Sequence, residues 1–190
     1  MSENETYTDP RIIKTHRAIR EAFVDLLHEK PFAQIAVQDI LDRAPVNRST
    51  FYKYYSGKSD LAGKMIADFK AEYSRYILTR FQVGSFDVFL NMMPEASDWI
   101  HSRRLILALW KVDTRRHHLY RDMHKLIKQQ FLRFAHTLPN AAPGKDWDYQ
   151  ADMLATLILG SMNYFFSRDL PLRLPEVRQA WAEMSRLLLP

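Results

Sequence analysis

The sequence predicts an all-α protein of about nine helices. Apolar residues recur at i, i+3 and i+4 along almost the whole chain of 190 residues. No segment alternates apolar and polar residues with β-branched enrichment, and only five glycines are present. Prolines at positions 31, 45 and 94 punctuate the helical pattern where a helix interior cannot hold them. Hydrophobic residues at 47% and charged residues at 26% are ordinary for a globular chain and exclude a mainly disordered one. With no cysteine, the chain has no disulfide, no thiolate nucleophile and no zinc–thiolate site. No apolar run approaches the ~18 residues of a membrane span, and the polar start MSENETYTDP lacks the apolar core of a secretory leader. The expectation is therefore a cytoplasmic protein without membrane contact.

The elements follow in order. Ile12, His16, Ile19, Phe23 and Leu26 share one face of a helix over about 11–28, which Pro31 ends. Val37, Ile40, Leu41 and Ala44 form a short second helix closed by Pro45. Asn47 is a suitable N-cap for a third short helix over about 48–54. Gly57 can cap a long fourth helix with Leu61, Met65, Phe69, Tyr73 or Tyr76, and Phe81 on one side, ending near Gly84. Phe86 to about Met93 is one further piece, and Ala96–Lys111 gives one or two. Periodicity supports helices over about 115–138, 147–167 and 176–188, separated by loops at 139–146 and 169–175.

A long helix followed by two short helices joined through a tight turn is the helix-turn-helix arrangement. The spacing of Phe32, Ile35, Val37, Ile40, Ala44, Val46 and Phe51 puts an apolar residue at each inward position of such a unit. The outward positions of the third helix are then Arg48, Ser49, Thr50, Tyr52, Lys53 and Tyr54. Donors and amphipathic rings of this kind suit phosphates and base edges. Residues 43–58 also carry Arg43, Arg48, Lys53 and Lys58 with no acid among them.

The stretch RAPVNRSTFYKYYSGKSDL, residues 43–61, resembles the TetR-type (TetR/AcrR) family of bacterial transcriptional regulators, most specifically in the run Thr50–Tyr55 followed by Lys58 and Leu61. The resemblance covers roughly residues 11–65. It implies a DNA-binding head, residues 1–57, and a helical body, residues 58–190, for ligand binding and dimerisation. Carried over by position, Arg48, Ser49 and Tyr52 would read bases, and Thr50, Tyr54 and Lys58 would hold phosphates. Lys58 stands in the first turn of a helix, where the macrodipole disfavours a cation unless an anion binds beside it. The chain departs from the family pattern at Pro45, where glycine is usual. It departs again at Ala36, where a hydroxyl cap is usual, and at Tyr54, where histidine is common.

Beyond the head, residues 101–133 hold nine Lys and Arg against two acids. This is either one solvated helical face or an anion-binding surface toward DNA phosphates or an acidic effector. Asp113 with His117, and His118 with Asp122, are i,i+4 pairs that could share a metal on one face, but pairs of this kind are usually salt-linked surface residues, and neither a metal nor a cofactor is expected. Trp99, Trp110, Phe131, Phe134 and Tyr164 are candidates for an effector pocket, with core packing as the competing use. Leu154, Ile158, Ser161, Phe165, Trp181 and Leu188 are candidates for a dimer interface, because the last two helices are apolar beyond one stripe. No nucleophile elbow, zincin motif or Gly-rich phosphate loop is present, so an enzyme is not expected. The expected function is a homodimeric, DNA-binding transcriptional repressor of a palindromic operator, released by a small molecule. The competing readings are a helical protein-binding module that keeps the head fold, and a His/Asp metal-dependent sensor.

Overall fold

A computed structural model describes residues 9–81, 96–137 and 146–188. Among them are eight α-helices and no strand: α1 Pro10–Glu29, α2 Val37–Arg43, α3 Arg48–Tyr54, α4 Lys58–Phe81, α5 Ala96–Trp110, α6 Leu119–Ala135, α7 Asp148–Ser167 and α8 Leu174–Leu188. The helix expected over Phe86–Met93 lies outside the described residues, as does most of the loop at 139–146. The described chain divides into two compact units. The first runs to Asp68 and includes Ala108–His118; the second comprises Phe69–Leu107 and the residues from Leu119 onward. The expected boundary at residue 57 thus stands against a compact unit that takes in the first half of α4 and a segment fifty residues away in sequence.

In the first unit, α1 starts where its chemistry allows. Asp9 accepts the Arg11 N–H at 2.8 Å, and Pro10 occupies the first helical position, where its missing donor costs nothing. It stops at Lys30, which is extended because Pro31 excludes the helical region for the residue before it. A single 3₁₀ turn, Phe32–Gln34, follows that periodicity did not register. Ile19, Phe23 and Leu27 of α1, with Ile35, Ile40, Phe51, Tyr55 and Leu61, are almost fully buried and form the core of this unit.

Residues 111–118 are a turn, so the sixth helix begins at Leu119 and not near 115. Asp113 and His118 form an isolated antiparallel bridge. Thr114 N–H donates to the His117 carbonyl at 2.8 Å, and Thr114 Oγ1 accepts the His117 N–H at 2.9 Å. Asp113 and His117 therefore do not stand one helical turn apart, which removes the geometric premise for a metal pair there.

In the second unit α6 and α7 pack antiparallel. His124 meets Thr156 at 3.1 Å, Lys128 donates to Asp148 and Asp152, and the Phe131 ring stands edge-on to Trp147. Leu119, Met123, Ile127, Leu154, Ala155, Ile158 and Leu159 are buried. α7 ends in a Schellman-type closure, with Asp169 at φ 59° where glycine is usual; Leu170 N–H donates to Phe165 and Asp169 N–H to Phe166. No described helix is long and apolar enough to cross a membrane.

Candidate nucleic-acid interface

The aim of α3 is set by what it buries. Phe51 and Tyr55, one turn apart, are inaccessible to solvent, and their rings stand 5.5 Å apart. The Tyr55 hydroxyl lies 2.7 Å from His16 Nδ1 on α1. Burial pushes the Tyr55 phenol above its ordinary pKa, and the Arg20 guanidinium works against that rise. The Tyr54 ring leans on the His16 ring at 4.4 Å. One histidine thus holds two successive tyrosines, so α3 is pinned to α1 along its inner face.

The opposite face is open. Arg48, Ser49, Tyr52 and Lys53 are exposed, and Thr50 and Tyr54 are half-buried. Arg48 donates to Gln38 Oε1 on α2 at 2.9 Å, a neutral acceptor that orients the guanidinium without neutralising it. Tyr52 is 47% exposed, with its ring edge against Phe51. The face is therefore cationic, rich in donors and free of carboxylates.

The turn that aims α3 accommodates proline. Ala44, before Pro45, is extended, and the Val46 N–H reaches back to the Ala44 carbonyl at 2.5 Å. A bond spanning two residues closes an inverse γ-turn, whose negative central φ suits a pyrrolidine ring. Among the described residues only Asp169 combines a side chain with positive φ, so nothing at 44–47 calls for glycine. Ala36 offers no hydroxyl, but the reciprocal half of a capping box is kept: Asp39 Oδ2 accepts the Ala36 N–H at 2.7 Å and the Lys30 ammonium at 2.6 Å. These bonds hold the Asp39 carboxyl below its usual range, Lys30 first. Asn47 stands at the N-cap of α3, where its side chain makes no capping bond.

Lys58 is placed differently from the sequence expectation. Its ammonium donates to the carbonyls of Phe32 at 2.9 Å, Ala33 at 3.0 Å and Ile35 at 2.6 Å, and lies over the Phe32 ring. All three N–H donors are taken by the 3₁₀ turn. Those carbonyls supply the negative partner that a cation in the first turn of α4 requires. The argument that a phosphate must be that partner is corrected accordingly. Sequence reasoning missed this clamp because a turn too short for periodicity provides it.

The candidate effector residues are divided between the two units. Trp110, half-buried, belongs to the first unit; Phe131, Phe134 and Tyr164 belong to the second, and the Trp99 side chain lies outside the described residues. Tyr164 is exposed, with the Arg168 guanidinium 4.1 Å from its ring centre. Among the candidate interface residues, Leu154 and Ile158 are buried within the single chain, so the inference that they are surplus to its core is corrected. Ser161, Phe165 and Trp181 are half-buried, and the Leu188 side chain is outside the described residues. Among the described residues, the exposed large apolar side chains of α7 and α8 are Tyr149, Met153, Tyr164, Met184 and Leu187. Among the described residues no group of three or more His, Asp or Glu could hold a metal.

The family model "Bacterial regulatory proteins, tetR family" matches residues 19–65, the span from the middle of α1 into α4 that builds this face. Over this span the chain is similar to the TetR family. The chain is also similar, over part of its length, to curated regulators. It is 38% identical over 65 residues to the uncharacterized HTH-type transcriptional regulator YxbF of Bacillus subtilis. It is 39% identical over 49 residues to the HTH-type dhaKLM operon transcriptional activator DhaS of Lactococcus lactis. These matches span 34% and 26% of this chain and 17% and 26% of the two relatives, so the curated likeness covers only part of either protein. The fold likeness extends further. A crystal structure of a gamma-butyrolactone receptor (ArpA-like protein) superposes with a TM-score of 0.61 over 90% of this chain and 100% of that one, at 15% identity.

Proposed function

We propose that this TetR-type chain is a transcriptional regulator that binds double-stranded operator DNA through α3. The observation that carries the reading is the outer face of α3. Arg48, Ser49, Tyr52 and Lys53 are exposed together on a helix whose other side is locked by Phe51, Tyr55 and His16. A rigid helix presenting donors without a carboxylate can enter the major groove, where Arg48 is suited to bidentate bonding of a guanine edge. Ser49 and Tyr52 are assigned to base edges, and Thr50, Lys53 and Tyr54 to the flanking phosphates. Lys58 is left out of this set because its donors are engaged within the head.

The working assembly is a homodimer on a palindromic operator, with heads separated by one helical repeat, about 34–36 Å, or a multiple of it. The dimer surface is assigned to the exposed apolar residues of α7 and α8, Met153, Tyr164, Met184 and Leu187, in place of the buried Leu154 and Ile158. A small-molecule effector would release the operator by its differential affinity for two head spacings. Repression by operator occupancy is the reading adopted. The Lactococcus relative's name, an activator, supports the opposite sign as a second reading, which transcription in vitro from a bound promoter distinguishes.

The test is the salt dependence of duplex binding. Each phosphate contact contributes roughly 0.9 to the slope of log K against log salt. A slope steeper than about −3 supports several backbone contacts per dimer. Salt-independent association, or none, would remove the DNA reading in favour of a protein-binding head.

A further inference from the structure

The basic excess of residues 101–133 is not one uniform surface. Arg103 pairs with Asp169, and Lys128 with Asp148 and Asp152; Lys111 donates to the His28 carbonyl at 3.3 Å. Arg115 and Arg116 differ from these. Both are exposed, and neither has a hydrogen-bond or ion-pair partner among the described residues. Lys125 and Arg133 share that property, but the two adjacent arginines also line a groove.

The groove holds about 650 Å³ and lies wholly within the first unit. Its walls are the start of α4, with Ser56, Ser59, Asp60, Gly63 and Lys64, and the turn Thr114–His117. The turn is fixed at its base by the two Thr114–His117 hydrogen bonds, which put Arg115 and Arg116 at its tip. It is also fixed against α4. A Cβ built on Gly63 would stand 2.6 Å from His117 Cε1, so the imidazole rests against the bare helix backbone there and would have to shift to admit a larger residue. Glycine in a helix interior costs about 1 kcal/mol relative to alanine.

The charge is one-sided. Asp60 is the single carboxylate lining the groove, and it is occupied by the Ser56 N–H at 2.9 Å and by Lys64 at 3.4 Å. Lys64 in turn donates to the Tyr54 carbonyl at 2.8 Å, so the groove adjoins the C-terminal end of α3. Two guanidiniums on a braced turn line the same concave space as two serines. Guanidinium forks match phosphate and carboxylate oxygens in pairs.

We propose that this groove is an oxyanion site for a phosphate group, with Arg115 and Arg116 as its charged ligands and Ser56 and Ser59 as hydroxyl donors. The phosphate has two possible sources: the backbone of DNA lying along α3, or a free phosphorylated small molecule. The site does not depend on the DNA reading; only the first source does.

The experiment titrates the full chain with inorganic phosphate and follows the His117 ring protons by NMR, assigned by the signals that H117Q deletes. The expected result is a saturable shift in the native chain that is lost in the double variant R115A/R116A, which keeps its circular dichroism because neither arginine has a partner to lose. No saturable shift in the native chain, or the same shift in the double variant, overturns the site. Duplex binding of both chains across a salt series then identifies the source. A slope shallower by roughly 0.9 per lost contact assigns the DNA backbone. An unchanged slope, with the phosphate response lost, assigns a free phosphorylated ligand. If the native chain binds no duplex, the DNA reading fails while the phosphate titration still decides the site.

Discussion

Lys58 Nζ lies 2.6 Å from the Ile35 carbonyl oxygen and completes its three donors on Phe32 and Ala33. The start of α4 is thereby tied to the segment that leads into α2. Hydrogen bonds to a charged group contribute roughly 1.5–3 kcal/mol when removal strands the partner. Part of that is recovered here by water, because Lys58 is only half-buried. Lys58→Ala is expected to destabilise the head by about 1–2 kcal/mol. At temperatures where the head stays folded, the salt slope of duplex binding should be unchanged. Thermal melts paired with binding isotherms check this; a flatter slope at unchanged stability would return Lys58 to the phosphate contacts.

Asp39 contributes stabilisation to the head that acid removes. Lys30 and the Ala36 N–H hold its carboxyl below the ordinary value, so the folded state binds this proton less readily than the unfolded chain. The stabilisation is complete above the unfolded pKa, near ~3.9, and is lost as the pH falls through the lower folded value. Asp39→Asn should lower stability at neutral pH and show a weaker further decline on acidification. Urea midpoints at pH 7 and pH 3 measure both arms.

The two kinds of apolar residue on α7 should separate on substitution. Ile158 is 3% exposed and Met153 41% exposed, five residues apart. Ile158→Asp places a charge in the α6–α7 core and is expected to unfold the second unit, since an unpaired buried charge costs several kcal/mol. Met153→Asp should keep the circular dichroism of the parent and shift the sedimentation coefficient toward monomer. A folded dimer in the Met153 variant would move the interface elsewhere.

The local structure was largely legible in the sequence. The second and third helices came out within a residue of expectation, because prolines 31 and 45 force extended residues before them and Phe51 and Tyr55 mark the buried face of α3. Two elements were hidden for a physical reason. The 3₁₀ turn at Phe32–Gln34 has no period long enough to register, and with it went the true partner of Lys58. The turn at 111–118 was read too short, because the residues just before Leu119 fit the period of the helix that follows and moved its expected start to about 115. Its seating on Gly63 joins residues more than fifty positions apart, and a glycine within a helix announces no partner. The basic segment 101–133 drew notice by charge alone, and only the arrangement of carboxylates around it separated Arg115 and Arg116 from their compensated neighbours. Leu154 and Ile158 were misplaced because a helix packed on both sides looks the same in sequence whether its second face meets its own chain or a partner.

Arg48 should divide binding from folding. It is exposed, and its one described bond is to Gln38, so Arg48→Ala is expected to leave the melting temperature within about 1–2 °C of the parent, as surface substitutions usually do. Duplex affinity should fall by roughly 1–3 kcal/mol per half-site if the guanidinium makes a bidentate base contact. Fluorescence anisotropy with matched melts checks it.

The outward face of α3 as a reader of duplex DNA is tested most directly by selecting bound sequences from a random duplex pool, with the parent and Arg48→Ala side by side. The parent should enrich a palindrome whose half-site centres are separated by about 10–10.5 base pairs or a multiple of that repeat. The variant should lose preference at one symmetric position while retaining the rest. A pool that stays random with the parent protein, or a selected motif that Arg48→Ala leaves untouched at every position, would contradict the assignment of α3 as the recognition helix.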